Sequence, residues 1–350
     1  MLDNIYNHPP ISAGNALVQG VISVAGVVSM TKETIFVTGG SGFIGYNLIK
    51  KLHEQGHAVR TLSRQSSVPY LQGLAEVAVQ GDIRDADIVR EAIEGSSVVY
   101  HLAGIQPTVS SSVSEMEMVA REGTRNVLDA ARITGVRKVV AASSVMCCGF
   151  STDGNLLTEN DQVEHLGVGL PYTHSKLALE EECLGYKHDL EIMIARIGKV
   201  YGSGDFYGAS SRIVGKMDKR FLPVPSGIGS YISVNDCVDA LITIADQGTA
   251  GEKYIVSAEN CSFLDIFSAF KDAAGGTAAL LPLPKAAKFL LPLLRMIPGK
   301  ESLYETLMSA FNNKPSSPEK LRALGWTPQK TIKDAIAECV EFYQWDRAWG

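Results

Sequence analysis

A tyrosine and a lysine stand four residues apart in the segment LPYTHSKLAL, residues 170–179. On a helix, Tyr172 and Lys176 lie on one face, one turn apart, and Pro171 suits the first helical turn, where no amide hydrogen is required. A lysine ammonium beside a phenol favours the phenolate and lowers the tyrosine pKa from its usual value of about 10. The pair therefore predicts an acid–base group, although the same spacing also occurs at ordinary helix starts.

Glycines recur in the segment TGGSGFIG, residues 38–45, between an apolar run and a helical segment. Gly39 permits a tight turn, Gly42 lets the backbone approach a pyrophosphate, and Gly45 lets the helix pack closely on the strand. The amides at the start of this helix, with Phe43 and Ile44, are free to bind an anion. In this strand–turn–helix context the loop predicts a dinucleotide cofactor.

The end of the second predicted strand favours NADP(H) over NAD(H). An NAD site carries a carboxylate about twenty residues after the glycine loop, where it holds the ribose hydroxyls. This chain instead has Ser63 and Arg64 there, and no acid. Because arginine attracts a 2′-phosphate through charge-assisted hydrogen bonds, we expect Arg64 to bind it. NAD(H) remains the alternative, and Arg60 is a competing candidate that could simply face solvent.

Short apolar runs alternate with helical segments from residue 34 onward, and one such segment ends at Gly135, a natural C-cap. Most of the runs are apolar on both faces, which indicates strands covered by helices on both sides. This rhythm predicts an α/β fold with a doubly wound parallel sheet of the Rossmann type. The runs are TIFVTG (34–39), HAVRTLS (57–63), AEVAVQGD (75–82), SVVYHLAG (97–104), RKVVAASS (137–144) and LEIMIARIG (190–198).

The rhythm loosens after about residue 204. There we predict a short strand and a helix over 231–248, capped by Asn235 or Asp236, and a further strand over 252–257. The predicted domains are an N-terminal extension (1–31), a dinucleotide-binding domain (32–205, to which 231–258 returns), and a smaller, mostly helical C-terminal substrate domain (206–230 and 259–350).

The composition narrows the range of partners. The 350-residue chain is 45% hydrophobic and 20% charged, with a formal net charge of −6, which gives no reason to expect nucleic-acid binding. Its six cysteines have no C-x-x-C pair and suit a reducing, cytoplasmic compartment. Its histidines form no ligand-spaced set, so no metal is expected; His101, His165 and His174 are interpreted as local polar residues.

Two apolar stretches bear on contact with membranes. Residues 16–30 are too short to span a bilayer, and residues 278–298 are interrupted by prolines and carry Lys285, Lys288 and Arg295 with no acidic residue. We therefore expect no stable membrane insertion. The second stretch is predicted to be a core or lid helix, with contact to a lipid surface or a greasy substrate as the alternative.

Several motifs, in order, resemble the extended short-chain dehydrogenase/reductases, also called the NAD(P)-dependent epimerase/dehydratase group. The glycine loop matches the family's TGxxGxxG. GDIRD (81–85) resembles its adenine-contacting segment, HLAG (101–104) its loop beside the cofactor, ASSV (142–145) its catalytic-serine segment, and YTHSK (172–176) its tyrosine and lysine. The likeness covers nearly everything from residue 34 to 344. It implies cofactor contacts from Asp82, Ile83, Leu102, Ala103 and Gly104, besides the glycine loop, Arg64, Tyr172 and Lys176.

The resemblance also implies catalytic roles. Tyr172 would be the acid–base group, Lys176 would bind the nicotinamide ribose, and Ser144, with Ser143 as second choice, would hold the substrate oxygen. Two departures stand out. Ala120 replaces an asparagine that often serves a proton relay, and VMCCG after Ser144 lacks the acidic pair of sugar 4,6-dehydratases, which argues against a dehydratase.

The expected function is the interconversion of a secondary alcohol and a ketone on a largely apolar small molecule. GIGSYISVNDCVDA (227–240) is similar to the corresponding segment of 3β-hydroxysteroid dehydrogenases and carbonyl reductases. The alternatives are a nucleotide-sugar epimerase, for which Arg212, Lys216, Lys219 and Arg220 would offer cations, and a non-catalytic NADP(H)-binding sensor. The resemblance further implies a homodimer built on the helices that follow Gly123 and Pro171.

Overall fold

The structure is a computed structural model that describes most of the chain beyond residue 31. The expected N-terminal extension (1–31) and His165 lie outside the described residues. The described ranges are 32–65, 68–106, 112–163, 170–208, 210–297 and 301–349.

The strands and helices of these ranges alternate through the first two thirds of the chain. The strands are β1 (Thr34–Thr38), β2 (Ala58–Ser63), β3 (Val77–Gln80), β4 (Val98–His101), β5 (Lys138–Ser144), β6 (Glu191–Ile197), β7 (Lys199–Tyr201), β8 (Phe221–Val224), β9 (Ile228–Ser233), β10 (Lys253–Val256), β11 (Glu259–Ser262) and β12 (Ala279–Pro282). The helices are α1 (Phe43–Glu54), α2 (Ala86–Ile93), α3 (Val113–Met118), α4 (Thr124–Thr134), α5 (Pro171–Gly185), α6 (Val234–Gln247), α7 (Phe263–Ala274), α8 (Glu301–Phe311), α9 (Glu319–Arg322) and α10 (Ile332–Trp349).

A parallel sheet in the order β3-β2-β1-β4-β5-β6-β10 forms the centre of the described protein. Successive residues of β1 point to opposite faces: Val37 packs with Leu48 of α1 and Leu241 of α6, whereas Phe36 packs with Leu128 of α4. Both faces are therefore covered by helices, which is why the strands lack polar alternation. The predicted doubly wound Rossmann-type sheet is confirmed.

Helix ends test the local predictions. Gly135 ends α4 in the left-handed conformation, with a φ of 76°, as predicted. The predicted cap of α6 at Asn235 or Asp236 is wrong. Ser233 caps this helix, because its hydroxyl accepts a hydrogen bond from the Asp236 amide at 3.0 Å and donates to the Asp236 carboxylate at 2.7 Å. Asp236 is thus the third helical residue of a reciprocal cap.

The part of the chain from β7 onward is mostly helical and carries two small sheets, β7-β9-β11 and β8-β12. Within the apolar stretch 278–298, a 3₁₀ helix covers residues 285–296. Leu291 packs beneath it against Tyr304 of α8, while Phe289, Leu290 and Leu293 are 75%, 66% and 60% exposed on its outer side. This segment covers α8 rather than entering the main core. Within the described ranges, no helix has the length and apolar character needed to cross a bilayer.

Candidate active site

The glycine loop makes a close turn between β1 and α1. Gly39 has a φ of +69°, and a Cβ added there would lie 2.8 Å from the Ala103 amide nitrogen. A Cβ at Gly45 would lie 2.2 Å from the Gly39 carbonyl oxygen, so the loop can close only without these side chains. No side chain caps α1, and its first turn holds no acidic residue. The start of α1 therefore presents amides and a positive dipole end, and this cradle fits the pyrophosphate of a dinucleotide.

The loop after β4 lies directly against this turn. The Ala103 amide donates to the Thr38 hydroxyl at 3.1 Å, and Leu102 packs on the core beside α1. His101 is buried between the hydroxyls of Thr38 and Thr124, each 2.9 Å from a ring nitrogen. Burial, with a smaller effect of the Lys176 charge, lowers the pKa of His101 to about 3, so this imidazole is a neutral structural bridge, in line with its interpretation as a local polar residue.

Charged side chains gather beyond the end of β2. Two guanidinium nitrogens of Arg84 donate to the Asp82 carboxylate, Nε at 2.9 Å and Nη2 at 2.7 Å. These bonds lower the pKa of Asp82 to about 2, and the charge of the nearby Arg64 adds to the lowering. Arg64 is exposed beside this pair. Arg60, the competing candidate, instead donates to the Ala92 and Glu91 carbonyls at the end of α2.

Ser144 and Tyr172 come together at the carboxyl end of β5. The phenol of Tyr172 forms side-chain hydrogen bonds with Ser144 and with Gln106, and the Ser144 hydroxyl also accepts from the Met146 amide at 3.2 Å. Ser143 points elsewhere, because its hydroxyl donates to the Glu180 carboxylate at 2.6 Å. Of the two serines considered from the sequence, Ser144 is therefore the one beside the tyrosine.

Lys176 completes the group, one turn along α5. Its ammonium nitrogen lies 5.9 Å from the centre of the Tyr172 ring and donates to the Ala142 carbonyl oxygen at 2.8 Å. A Cβ on Gly104 would lie 3.2 Å from this nitrogen. The three predicted catalytic side chains and the β4 loop thus converge on one place.

The pKa of Tyr172 differs from the expectation. Burial raises it to about 12, and the hydrogen bond with Ser144 offsets this only in part. Lys176 is itself desolvated, which lowers its own pKa, and its amine binds a carbonyl rather than the phenol oxygen. The protein's own groups therefore keep the phenol protonated at neutral pH, and the predicted lowering of its pKa by Lys176 is not observed.

Glu305 of α8 holds the start of the catalytic helix α5. Its carboxylate accepts from the amides of Tyr172 and Thr173, both at 2.8 Å, and from the Thr173 hydroxyl at 2.5 Å. Since Leu170 offers no side-chain cap, Glu305 supplies the cap from a distant part of the chain. Sequence reasoning missed it, because 133 residues separate it from Tyr172 and no local pattern links them.

A buried ion cluster supports α5 from below. Arg196 of β6, fully buried, pairs with Glu180 at 2.8 and 2.9 Å, and Lys253 of β10 lies 2.7 Å from the same carboxylate. Burial by itself would raise the pKa of Glu180, but Arg196, Lys253 and Ser143 together hold it below its usual value. Because Ser143 precedes Ser144, this cluster ties the catalytic helix to the strand that carries the serine.

Two further sequence features are placed by the structure. Ala120 borders a cavity of about 10 Å³ next to Lys176, room for about one water. Cys147 and Cys148 are buried free thiols, and burial raises their pKa to about 12 and about 11, so both are poor nucleophiles. Among the described residues, no group of histidine, cysteine and acidic side chains has the arrangement of a metal site.

A larger recess of about 200 Å³ lies between the segment after β7 and helix α10, lined by residues that include Tyr207, Arg212, Tyr343 and Asp346. Arg212, one of the cations considered for a sugar nucleotide, donates here to the Tyr207 carbonyl at 3.2 Å.

Comparison with known proteins extends this description. The model of the NAD dependent epimerase/dehydratase family matches residues 35–257. Sterol demethylase protein B of Methylococcus capsulatus is 28% identical over 325 residues, covering 89% of this chain and 98% of that protein. The 3 beta-hydroxysteroid dehydrogenase/Delta 5-->4-isomerase of Mycobacterium tuberculosis is 26% identical, covering 91% and 93%. Among solved structures, gox2253 superposes with a TM-score of 0.79 at 25% identity, over 90% of this chain and 98% of that one.

Proposed function

The chain belongs to the NAD-dependent epimerase/dehydratase family, and from that membership we propose that it interconverts a secondary alcohol and a ketone on a largely apolar small molecule. NADP(H) is the proposed cofactor and Tyr172 the acid–base group. The observation that carries the proposal is the hydrogen-bonded pair of Ser144 and Tyr172 with Lys176 beside it, at the same edge of the sheet as the glycine loop.

The chain's own groups manage the proton of the reaction. When bound, the nicotinamide ring supplies the site for reversible hydride transfer. The Tyr172 hydroxyl gives its proton to the carbonyl oxygen during reduction and takes it back during oxidation. Ser144 holds the same oxygen and stabilises its developing charge. Lys176, whose amine lies 5.9 Å from the centre of the Tyr172 ring, is proposed to bind the nicotinamide ribose.

An apolar wall beside the tyrosine supports a largely apolar substrate. Leu170, two residues before Tyr172, packs in one cluster with Leu283, Leu291 and Tyr304. An arginine that binds phosphate cannot be accommodated at position 227, before β9, because a Cβ there would lie 2.4 Å from the Ala310 carbonyl oxygen. Both observations favour the alcohol–ketone reaction over epimerisation of a nucleotide sugar.

The charge pattern beyond β2 supports NADP(H). Arg64 is exposed there, and the neighbouring carboxylate of Asp82 is already bound by Arg84 at both of its oxygens. An added 2′-phosphate would therefore meet an exposed guanidinium. We expect Arg64→Leu to lower kcat/KM for NADPH about tenfold and to leave NADH unaffected; a wild-type enzyme that prefers NADH would contradict the assignment.

The catalytic assignment is tested by Tyr172→Phe. Hydride transfer from labelled NADPH to a panel of apolar ketones should fall by about 10²–10⁴-fold, while cofactor affinity stays nearly unchanged. The control is Tyr186→Phe, which removes a phenol hydroxyl bound to Asp129 just after the same helix and should retain full turnover. Retained transfer in Tyr172→Phe would refute the role, and a panel without any acceptor would return the chain to the sensor alternative.

A further inference from the structure

Two lysines of the C-terminal region carry charges that no acidic side chain of the described residues neutralises by an ion pair. Lys199 begins β7 and is exposed, whereas Lys314, which follows α8, is only 6% exposed. The ion pairs within the described ranges include neither amine. A buried ammonium without a counter-charge is costly, so its presence calls for a functional explanation.

The Lys314 amine lies between two elements that contact the catalytic group. Its nitrogen donates to the Ser309 carbonyl oxygen of α8, and it lies 5.9 Å from the centre of the Phe150 ring. Ser309 is one turn beyond Glu305, whose carboxylate holds the start of the Tyr172 helix. Phe150 follows closely after Ser144 in the chain. The amine is therefore held by α8 and by the segment that follows Ser144, two parts of the chain that also contribute to the catalytic group.

Lys199 and Lys314 lie in segments that both contact β9. In β7, Lys199 pairs with Tyr231 of β9, and the Lys314 amide donates to Ile228, at the start of β9, at 2.8 Å. Lys199 is accessible to solvent, yet the surrounding protein desolvates its amine and lowers its pKa.

The two charges also act on each other. Burial lowers the pKa of Lys314 to about 7, and repulsion from Lys199 adds to that effect. Only Lys199 has an acid near enough to raise its pKa, namely Asp205, which itself accepts from the Ser210 and Ser211 amides. An anion between the two amines would satisfy both.

We propose that Lys199 and Lys314 form an anion-binding subsite of the substrate cleft, which takes an acidic oxygen group of the substrate, a carboxylate or a phosphate. The apolar surroundings, with the Phe150 ring against Lys314, favour a single carboxylate on an otherwise apolar alcohol. This deepens the proposed function and rests on it for the identity of the reacting alcohol. It also gives the diphosphate of a nucleotide sugar a place to bind, so the test must separate the two ligands.

Binding measured by calorimetry tests the subsite apart from catalysis. The probes are decanoate, decanamide, which has the same tail without the charge, and uridine diphosphate, each added to the NADP⁺-loaded enzyme. Decanoate should bind at least about tenfold more tightly than decanamide. Lys199→Met and Lys314→Met should each remove most of that preference without changing decanamide binding. Lys187→Met, which removes an exposed lysine just after α5, is the control and should change nothing.

Proton uptake gives a second readout. Near pH 8 the Lys314 amine is mostly neutral, so a bound carboxylate should draw a proton onto it, seen as a dependence of the binding heat on the ionisation enthalpy of the buffer. Lys314→Met should abolish the uptake. This variant replaces a buried ammonium by an apolar side chain of similar length, so it should fold with an unchanged or higher melting temperature. If it does not, the accessible Lys199→Met alone decides the affinity test.

The outcomes separate this proposal from the proposed function. Equal binding of decanoate and decanamide, or affinity unchanged in both lysine variants, overturns the subsite while leaving the role of Tyr172 intact. Uridine diphosphate binding more tightly than decanoate, through the same lysines, upholds the subsite and overturns the apolar substrate in favour of a nucleotide sugar.

Discussion

At the scale of single residues, the site is defined by a phenol that stays protonated. Burial raises the pKa of Tyr172 to about 12 although a lysine lies one turn away. A spacing of four residues places the two side chains on one face but says nothing about how much water each one loses. The geometry of the pair could be predicted from the sequence; the balance between desolvation and charge could not.

The raised pKa predicts the pH dependence of ketone reduction. Reduction uses the protonated phenol, which persists at every pH below its pKa. Turnover should therefore be constant from about pH 6 to 9 and fall only at higher pH, as the phenol ionises. The profile of kcat/KM for a ketone found in the panel measures this. A decline that begins near pH 7 would show that the phenol ionises far more readily than its burial implies.

Glu305 predicts a coupled effect on stability and on that profile. Its carboxylate raises the pKa of Tyr172 and accepts three hydrogen bonds at the start of α5. Glu305→Gln should lower the free energy of unfolding by about 1–2 kcal/mol, the range for loss of a helix cap. It should also move the high-pH limb of the profile to lower pH, because a neighbouring negative charge has gone.

The control for Glu305→Gln is a substitution of an exposed glutamate. Glu319→Gln, at an exposed surface ion pair with Arg322, should leave both quantities unchanged. A loss of stability without movement of the limb would mean that Glu305 only supports the helix and does not act on the phenol.

At the scale of elements, the turn between β1 and α1 makes a prediction about the cofactor. Gly39→Ala would bring a Cβ to 2.8 Å from the Ala103 amide nitrogen and force alanine into a positive φ. We expect cofactor affinity to fall at least about tenfold, because the loop must open away from the pyrophosphate.

The matched control is Gly56→Ala, where φ is +87° but nothing lies within 4 Å of the added Cβ. It carries the backbone strain without the collision, so it should lose stability and keep its affinity for the cofactor. Equal affinity losses in both variants would place the cofactor away from this turn.

The ion cluster under α5 predicts a large loss of stability. Glu180→Gln leaves the buried Arg196 without a counter-charge and should lower the free energy of unfolding by about 3–5 kcal/mol at pH 7. Because the folded pKa of Glu180 is held below its usual value, its contribution is present above the unfolded pKa and is lost as the pH falls through the folded pKa. The deficit of the variant should therefore shrink in acid. Urea denaturation measures this, and Glu181→Gln, exposed on the same helix, should cost under about 0.5 kcal/mol.

The elements differ in how readily the sequence predicts them. The central strands were predicted to within two or three residues, since runs such as those around Val99 and Val140 are apolar on both faces and buried by local helices. The contacts of Glu305 and Lys314 could not be predicted, because they depend on how α8 packs against α5 and β9. Ser233 was missed for a smaller reason: Asp236 is an equally good cap by residue type, and only the start of the helix decides between them.

At the scale of the whole molecule, the expected homodimer remains a prediction. Helices α4 and α5 lie side by side, joined by an ion pair of Arg125 and Glu182 at 3.0 Å, and expose Ile133 and Leu184 at 66% and 39%. A two-fold interface on this face would bury the same residues of both copies. Leu184→Asp should then weaken the dimer at least about tenfold in sedimentation equilibrium.

The comparison variant for this measurement is Leu290→Asp, on the outer side of the 3₁₀ helix 285–296, where the leucine is 66% exposed. This variant should leave the molar mass measured by sedimentation equilibrium at that of the dimer. A wild-type protein that is monomeric at tens of micromolar, or a dimer broken by Leu290→Asp instead, would contradict the placement on α4 and α5.

The cap that Glu305 provides has a consequence for the order in which the chain is made. A nascent chain that has left the ribosome only as far as α7 already carries the glycine turn, Ser144, Tyr172 and Lys176. It still lacks the carboxylate that fastens the first turn of α5. Such a chain should be able to hold its dinucleotide before the start of α5 is fastened, so that the catalytic helix is completed only after α8 has been synthesised.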